Sequence, residues 1–444
     1  MTTEPIAAAS APTRIRYAVL FWICLASAIA YTQRNTLGVV EKDMRQELEL
    51  TTGDSAKIMS TSFFFTYALC QVPSGWLGKV WGSRRALAVF SAVCSVATAL
   101  CAVATRVPVF AGLRAVMGIN QAGLFPCTTA TVKNWFSGLQ WGMANGFITA
   151  SQSLGAAGGM AVAGYVAVLL GWRWTFAVFA IPGLIWAAWF SIWFRNRPEE
   201  HRSVNAGELA LMRVSAPGYE ESSAPEHEGP VPWKALLLSP ALCWFCTQQF
   251  FRGAGYIFFS TWFTTYLRDV FGVEKGTAGV LTSLPLCANG IGCIVGGAFS
   301  DWLLVRTGSR RISRQGLAVV CQLGCAALAL FASRIADVHL FVLVMSLGAL
   351  CAASGGPIAY AVSIDMGRSH ARPVFSLMNT WGNLGSMSFP FLISLLVGES
   401  PKAADWAPVV PVFAGVYAFA GLAWLGFNPD KPILPERAPN PAAS

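Results

Sequence analysis

Charged residues are scarce in this chain, and acidic residues are scarcer than basic ones. Only 12% of its 444 residues are Asp, Glu, Lys or Arg, about half the fraction typical of soluble proteins. The charges lie between long apolar stretches, a pattern typical of proteins that cross a membrane many times. The net charge of +9 is spread along the chain without a polar basic domain, so we expect no nucleic-acid partner.

The sequence also lacks the residue clusters from which cofactor, metal and catalytic sites are built. Its four His residues fall in loops or at helix ends, and its 12 Cys residues are scattered. Cys243 and Cys246 form a C-x-x-C, but no second pair or His follows at the spacing of metal ligands. We find no nucleophile–base pair and no phosphate-binding loop. We therefore expect no cofactor, no bound metal and no enzymatic activity.

Apolar segments of about 20 residues are abundant, and each is long enough to span a bilayer as a helix. A charged, Pro- and Ser-rich interval, 195–237, divides them into two sets of six. We predict an all-α membrane protein of twelve transmembrane helices in two pseudo-symmetric six-helix bundles, 1–194 and 238–444, joined by a cytoplasmic linker. The predicted helices are 17–39, 57–78, 86–105, 108–130, 142–169, 173–194, 238–267, 276–304, 314–333, 338–364, 373–397 and 408–428.

The two sets carry a repeated motif, which supports an internal duplication. A segment from Gly75 to a Gly-Ser-Arg-Arg turn closes the second helix, and a similar segment from Gly297 closes the eighth. Duplicated six-helix halves are typical of transporters whose halves rock around a site at the middle of the membrane. We expect the residues of this motif to stabilise one arrangement of the two halves. These residues are Gly75, Lys79, Arg84, Asp301 and Arg310.

The distribution of Lys and Arg predicts the orientation. Most of them fall on the side of the amino terminus, and cytoplasmic loops are the ones enriched in basic residues. We therefore predict that both termini are cytoplasmic. Helical spans indicate location in the plasma membrane, which is the inner membrane in a cell that has two. The lipid bilayer is then one partner, and we expect a monomer.

Three arginines, Arg34, Arg114 and Arg252, lie within apolar segments, and we find no Asp or Glu at comparable depth. A charge inside the membrane costs about 3 kcal/mol on insertion scales, so it persists where it faces a polar cavity or a partner. Without a neighbouring carboxylate, the expected partner is a small anionic substrate. Arg34 lies in the first helix and Arg252 in the seventh, which are equivalent helices of the two halves.

Helical spacing places polar residues beside two of these arginines. Tyr31, Arg34 and Asn35 share one face of the first helix, and Arg252 and Tyr256 share one face of the seventh. A guanidinium presents a planar fork suited to carboxylate, phosphate or sulfonate oxygens, so two forks favour a dianion or a bidentate ligand. The alternative for Arg34 is that its side chain reaches to the outer membrane interface.

Seven short motifs along the chain then carry a resemblance. The chain resembles the major facilitator superfamily and, within it, the anion:cation symporter family of sugar-acid, sialic-acid, glutamate and phosphate carriers. The motifs are Tyr31-x-x-Arg34-Asn35, Gln71-x-Pro73-x-Gly75-Trp76-Leu77, Arg114-x-x-x-Gly118-x-x-Gln121, Gly171-Trp172-Arg173-Trp174-x-Phe176, Arg195-x-Arg197-Pro198-Glu199-Glu200-His201, Trp262-Phe263-x-x-Tyr266-Leu267 and Asn379-x-x-Gly382-Asn383-Leu384-Gly385.

The chain departs from this family at three positions. Gln33 and Gln121 stand where the family commonly has Asp and Glu, and the resemblance associates both positions with proton coupling. Lys79 replaces the acidic residue of the first cytoplasmic motif, whereas Asp301 retains it in the second half. We predict that transport is not coupled to protons by the family's usual carboxylates. Anion exchange or facilitated diffusion fits better, as in the organophosphate/phosphate antiporters, which also carry arginines on the first and seventh helices.

The remaining candidates keep two interpretations each. Arg114 lies near the external end of its helix and either contacts the ligand or has a structural or gating role. Gln152 resembles a fifth-helix glutamine of sugar-acid carriers, but it can equally bond a neighbouring helix. Asn379 and Asn383 share a face one turn apart and either bind substrate or pack helices. The predicted substrate-binding set is Arg34, Arg252, Tyr31, Asn35, Gln121, Gln152, Tyr256, Asn379 and Asn383.

We predict a transporter of a sugar acid or another small organic anion that works by alternating access. An organophosphate/phosphate-type antiporter is the alternative within the fold, and a cationic or neutral drug exporter is disfavoured by the buried arginines. A transporter-like membrane sensor is a further alternative, although the linker of about forty residues is short for a signalling domain. The sequence leaves the anion, the direction of transport and the exchange partner open.

Overall fold

The computed structural model describes residues 11–49, 62–213, 231–397 and 403–434, and in these ranges every regular element is helical. Gly82 divides the helix Ser62–Cys101 into two arms, 62–81 and 83–101, which we count as α2 and α3. The other long helices are α1 (Ile15–Glu47), α4 (Val107–Trp135), α5 (Trp141–Leu170), α6 (Trp172–Trp193), α7 (Pro240–Ile257, continuing to 271), α8 (Lys275–Thr307), α9 (Arg311–Ala332), α10 (Val338–Ala353 and Gly355–Gly367), α11 (Ala371–Val397) and α12 (Ala403–Gly426).

These helices confirm the predicted twelve-helix membrane fold. Eight helical stretches in the described ranges are long and apolar enough to cross a membrane. Two of them, Ser62–Cys101 and Val338–Phe389, contain two helices each. The remaining two helices are α4 and α7. They are less apolar because α4 carries the buried Arg114 and α7 carries the half-buried Arg252.

The turn between α2 and α3 shows why the first motif requires a glycine and an arginine. Gly82 has φ 75° and ψ 154°, a backbone conformation that side chains disfavour. The Arg84 amide donates to Asn196 Oδ1 at 2.8 Å, and its Nε donates to the Ser191 carbonyl at 2.7 Å. Arg84 therefore fastens this turn to the end of α6, within one half of the chain.

The first part of the predicted linker packs against the start of α1. Short helices occupy Pro198–Glu200 and Ala206–Met212. Glu208 is fully buried and accepts hydrogen bonds from Thr13 Oγ1 at 2.6 Å, Ile15 N at 2.9 Å and Arg16 N at 3.0 Å. Its carboxylate satisfies amides of the first turn of α1, where negative charge is favourable. We call this end of the molecule the linker end and the opposite end the far end; residues 214–230 of the predicted linker lie outside the described ranges.

Glycines allow helices of the two halves to touch at the linker end. A Cβ on Gly146 of α5 would lie 2.6 Å from the Cys293 carbonyl of α8, and Gly142 and Gly297 face each other with similar closeness. Gly75 of α2 likewise lies against Ser376 of α11. The described contacts between the halves reach as far as Asn379 Nδ2 and the Tyr67 hydroxyl, 3.4 Å apart. In the described ranges, contacts between the halves therefore extend from the linker end to the level of Tyr67 and Asn379.

Asp301 connects the halves at this end. Its carboxylate accepts from the Gly142 and Met143 amides at 3.0 and 2.6 Å, so a residue of α8 caps the start of α5. It also pairs with Arg314 Nη1 at 2.7 Å. In α10, Asp365 accepts from Arg310 Nε at 2.8 Å and lies 3.6 Å from Arg314 Nε. These buried acids and arginines neutralise one another.

We expect Asp301→Asn to favour opening at the linker end, because an amide keeps some capping ability but loses the ion pair with Arg314. A change of about 1–2 kcal/mol would raise the open population roughly tenfold. Maleimide labelling of Cys293, which is buried between α5, α8 and α10, measures this opening by mass spectrometry.

Two controls accompany that measurement. Cys325 is buried within one half and should stay unlabelled. Asp337 caps α10 by accepting from Leu340 N at 2.7 Å without crossing between halves, so Asp337→Asn should leave Cys293 labelling unchanged. Equal labelling of Cys293 in the wild type and in Asp301→Asn would contradict the role of Asp301.

At the far end, Glu47 links three helices of the first half. Its carboxylate accepts from Trp172 Nε1 at 2.6 Å and pairs with Arg173 Nη2 at 3.0 Å. Arg173 also donates to the Ala102 carbonyl at 2.9 Å, so α1, α3 and α6 meet there. The hydrogen bond from Trp172 and then that from Arg173 lower the pKa of Glu47 below its ordinary value of 4.5.

This shift predicts a pH dependence of stability with a definite sign. Because the folded pKa is lowered, the contribution of Glu47 is present above pH 4.5 and is lost as pH falls through the folded value. Glu47→Gln should lower the melting temperature at neutral pH, and the difference from wild type should shrink on acidification. Glu274→Gln, at an exposed position without a capping hydrogen bond, is the control. A pH-independent difference for Glu47→Gln would contradict this account.

Candidate anion-binding site

Arg34 lies in the middle of α1 and is enclosed by aromatic rings. Its guanidinium carbon is 4.5 Å from the ring centre of Tyr31, 4.6 Å from that of Tyr67 and 4.8 Å from that of Phe63. Aromatic faces attract a cation without neutralising its charge. The side chain is only 9% exposed, so it does not reach out to a membrane interface.

One edge of the Arg34 guanidinium is held by an amide. Its Nε donates to Gln121 Oε1 at 3.1 Å, and Gln121 Nε2 donates to the Ala30 carbonyl at 3.0 Å. The amide orients the guanidinium but carries no charge. Arg34 Nη2 is buried without a hydrogen-bond partner in the described ranges. The terminal edge therefore keeps both its positive charge and a donor for a ligand.

Arg252 of α7 has the same arrangement in the second half. Its Nε donates to Gln249 Oε1, so a neutral amide again holds the guanidinium at Nε. This hydrogen bond does not use the two terminal nitrogens. The Tyr31 and Tyr256 hydroxyls each lie close enough to both Arg34 and Arg252 to interact with them electrostatically. We call the space between Arg34 and Arg252, beside these two hydroxyls, the chamber.

Arg114 lies behind Arg34. It is 2% exposed, its Nη1 and Nη2 are each 3.5 Å from the Arg34 carbonyl, and its guanidinium lies 4.8 Å from the ring centre of Phe63. This arrangement braces the backbone of α1 and favours the structural interpretation of Arg114 over ligand contact.

No ion pair of Arg34 or Arg252 occurs among the described residues, whose carboxylate pairs lie at the two ends of the molecule. A buried carboxylate that the sequence did not indicate is Asp365, which is 3% exposed and directly follows a predicted apolar segment. It lies nine residues along α10 from Gly356, or about 13 Å towards the linker end. Because Arg310 and Arg314 neutralise it there, Asp365 does not supply the chamber with an acidic partner.

The predicted asparagines use much of their hydrogen-bonding capacity within the protein. Asn35 Nδ2 donates to the Tyr31 carbonyl at 2.8 Å, and Asn383 Nδ2 donates to the Asn379 carbonyl at 2.7 Å. Asn379 Nδ2 lies 3.4 Å from the Tyr67 hydroxyl, across the two halves. Their amide oxygens suit substrate hydroxyls better than substrate anions.

Gln152 fits the substrate-facing interpretation more closely. It is buried, its Nε2 is without a hydrogen-bond partner in the part of the chain that is described, and it lies beside the Tyr360 hydroxyl of α10. The side chain thus faces the other half, with its amide beside the Tyr360 hydroxyl.

Gln33 faces away from the chamber. Its Nε2 donates to Ser95 Oγ at 2.9 Å and to the Phe179 carbonyl at 3.1 Å, so it joins α1 to α3 and α6. The neutral amide that replaces the family's acid is thus an internal packing group of the first half.

Sequence reasoning missed several residues around this site. Tyr67 and Phe63 both contact Arg34, and their spacing of four residues on α2 could have indicated a shared helix face. Arg314 was overlooked because it lies within the basic turn that opens α9.

Comparison with known proteins agrees with this architecture. Residues 23–334 match the family model described as Major Facilitator Superfamily. The chain is 28% identical to the probable sulfoacetate transporter of Cupriavidus necator, over 92% of this chain and 94% of that protein. It is 28% identical to the D-galactonate transporter of Escherichia coli, over 94% and 96%, and 25% identical to the hexuronate transporter of Bacillus subtilis, over 94% and 95%.

Solved structures agree in fold. The proton:xylose symporter XylE, bound to 6-bromo-6-deoxy-D-glucose, aligns with a TM-score of 0.69 at 14% identity over 94% of this chain and 98% of that one. FucP in the outward conformation aligns with a TM-score of 0.67 at 13% identity over 93% and 99%. Twelve helices, a duplicated half and a family model that covers most of the chain lead to one conclusion: this protein belongs to the Major Facilitator Superfamily of transporters.

Proposed function

We propose that this transporter carries a small organic anion, which binds in the chamber between Arg34 and Arg252. The observation that carries the proposal is that both guanidinium groups are held at Nε by neutral amides, from Gln121 and Gln249. Each arginine is thus positioned without being neutralised, and the missing negative charge must come from a ligand. The relatives support this class, since sulfoacetate, galactonate and hexuronates are all carboxylates.

The linker end is proposed to be cytoplasmic, because the basic residues of the loops concentrate there. With the halves in contact at that end, the chamber would open to the outside, as expected of one state of an alternating-access cycle. We further propose that the halves comprise residues 1–194 and 238–444 and rock as units, and that the protein acts as a monomer in the plasma membrane.

The proposed drive is exchange. Moving an empty chamber across the membrane would occlude two cations without counter-charge, at a cost of several kcal/mol. A bound anion removes that cost, so the loaded carrier reorients more readily than the empty one. Gln33 and Gln121 support this, because amides at the family's acidic positions cannot take up a proton.

Removing either charge should weaken anion binding. We expect Arg34→Gln and Arg252→Gln each to lower affinity about tenfold or more, since a hydrogen bond to a charged group contributes about 1.5–3 kcal/mol. Titration calorimetry with sulfoacetate, D-galactonate and D-glucuronate measures the change. Arg268→Gln, at an exposed position on the same helix, should bind like wild type. Unchanged affinity in both chamber variants would refute the proposed site.

Transport itself should depend on anion inside the vesicle. In proteoliposomes, we expect uptake of the labelled anion that binds best to rise about tenfold or more when the same anion is present inside, because only the loaded carrier returns readily. An imposed pH gradient should not replace the internal anion. Accumulation driven by pH alone would contradict exchange, and tight binding without flux would instead indicate a sensor. Preference for inorganic phosphate would support the phosphate-antiporter alternative.

A further inference from the structure

Gln322 of α9 is a fully buried amide that the proposed site leaves unused. Both its Nε2 and its Oε1 are without a hydrogen-bond partner among the residues that the structure describes. A buried polar group without partners is unfavourable, and native proteins rarely keep one without a reason. The Gln322 amide therefore has capacity for a ligand.

Two glycines of α10 bring this amide next to Arg252. A Cβ on Gly355 would lie 2.6 Å from Gln322 Nε2 and 3.3 Å from Arg252 Cδ. A Cβ on Gly356 would lie 3.6 Å from Arg252 Nη1 and 3.7 Å from Thr149 Cγ2 of the first half. We call the space bounded by Gly355, Gly356, Gln322 and Arg252 the notch. It exists because neither glycine carries a side chain.

The backbone of α10 is irregular beside the notch. The helix divides at Ser354 into two segments, Val338–Ala353 and Gly355–Gly367, although Ser354 itself keeps helical angles of φ −57° and ψ −30°. Pro357 has no N–H of its own, and the missing hydrogen bond accounts for the division. A guanidinium and an unused amide thus converge on the notch from two helices, and the glycines of a third helix leave the space between them.

We propose that the notch binds a second anionic group of the substrate, so that the preferred substrate is a short dianion. One carboxylate, sulfonate or phosphate group would bind the terminal edge of Arg34, and the other would accept from Arg252 and from Gln322 Nε2. This inference rests on the proposed function and names its substrate class. It makes Gln322 a specificity-determining residue.

Charge balance explains why the extra donor is a neutral amide. The guanidinium groups of Arg34 and Arg252 together match the charge of a dianion, whereas a monoanion leaves one of the two unmatched. A cation in place of Gln322 would add a further positive charge beside Arg252, and a carboxylate would neutralise Arg252. A glutamine supplies a directed hydrogen bond and leaves the charge unchanged.

The test compares ligands that differ by one charge. Dissociation constants of the purified protein are measured for succinate and 3-sulfopropanoate, each beside butyrate. Wild type should bind at least one dianion about tenfold or more tightly than butyrate. Gln322→Leu should reduce that preference to about threefold or less, because the donor is lost. Gln322→Glu should abolish it, because the new carboxylate pairs with Arg252 and repels the anion.

A glycine pair provides the matched control. Gly355→Ala places a methyl group where the Gln322 amide end now lies; this flexible end can move, so the variant should fold but lose the dianion preference. Gly348→Ala lies in the same helix with ordinary contacts of 3.6–3.8 Å and should keep it. Retention of the preference in both Gln322 variants would overturn the notch.

The outcomes separate this inference from the proposed function. If wild type binds butyrate and both dianions equally, and Arg34→Gln weakens all three, the anion site stands and the dianion class is wrong. If neither arginine variant changes binding of any probe, the proposed function fails as well. Butyrate binding in the Gln322→Leu protein also shows that the variant is folded.

Discussion

The structure depends on how its chamber arginines are held: each donates its Nε–H to a glutamine oxygen instead of to a carboxylate. An amide fixes the direction of the guanidinium but leaves its full charge. Aromatic rings around Arg34 add favourable contacts, again without neutralising it. The chamber arginines are therefore oriented without being neutralised, and only an anion can balance their charge.

At the linker end, buried charge is handled in the opposite way. At the linker end, Asp301 and Asp365 are paired with Arg310 and Arg314, and Asp301 also caps α5 from the other half. Asp301 thereby connects the halves, and none of these groups needs a ligand to balance its charge. The contrast separates two regions: paired charges join helices at the linker end, and the chamber arginines keep charge that we propose an anionic substrate balances.

Apolar runs were sufficient to predict the twelve helices, since spanning a bilayer requires about 20 apolar residues. The arginines stood out because charge is rare in such runs. Contacts between distant segments could not be predicted. Gln33 faces α3 and α6, Arg114 braces the backbone of α1, and the Gln322 amide meets Arg252 through two glycines. Each depends on helix rotation and packing, which local spacing does not determine. Asp365 was missed because its partners lie about fifty residues earlier in the chain.

The central claim is that the chamber holds positive charge that protein carboxylates do not balance. Titration calorimetry in two buffers of different ionisation enthalpy measures it directly, because the apparent binding enthalpy then reports protons taken up or released. Near neutral pH, with a fully ionised anion, we predict zero net proton exchange and an equal enthalpy in both buffers. Uptake of about one proton per bound anion would show that a carboxylate in the chamber titrates and would contradict the account.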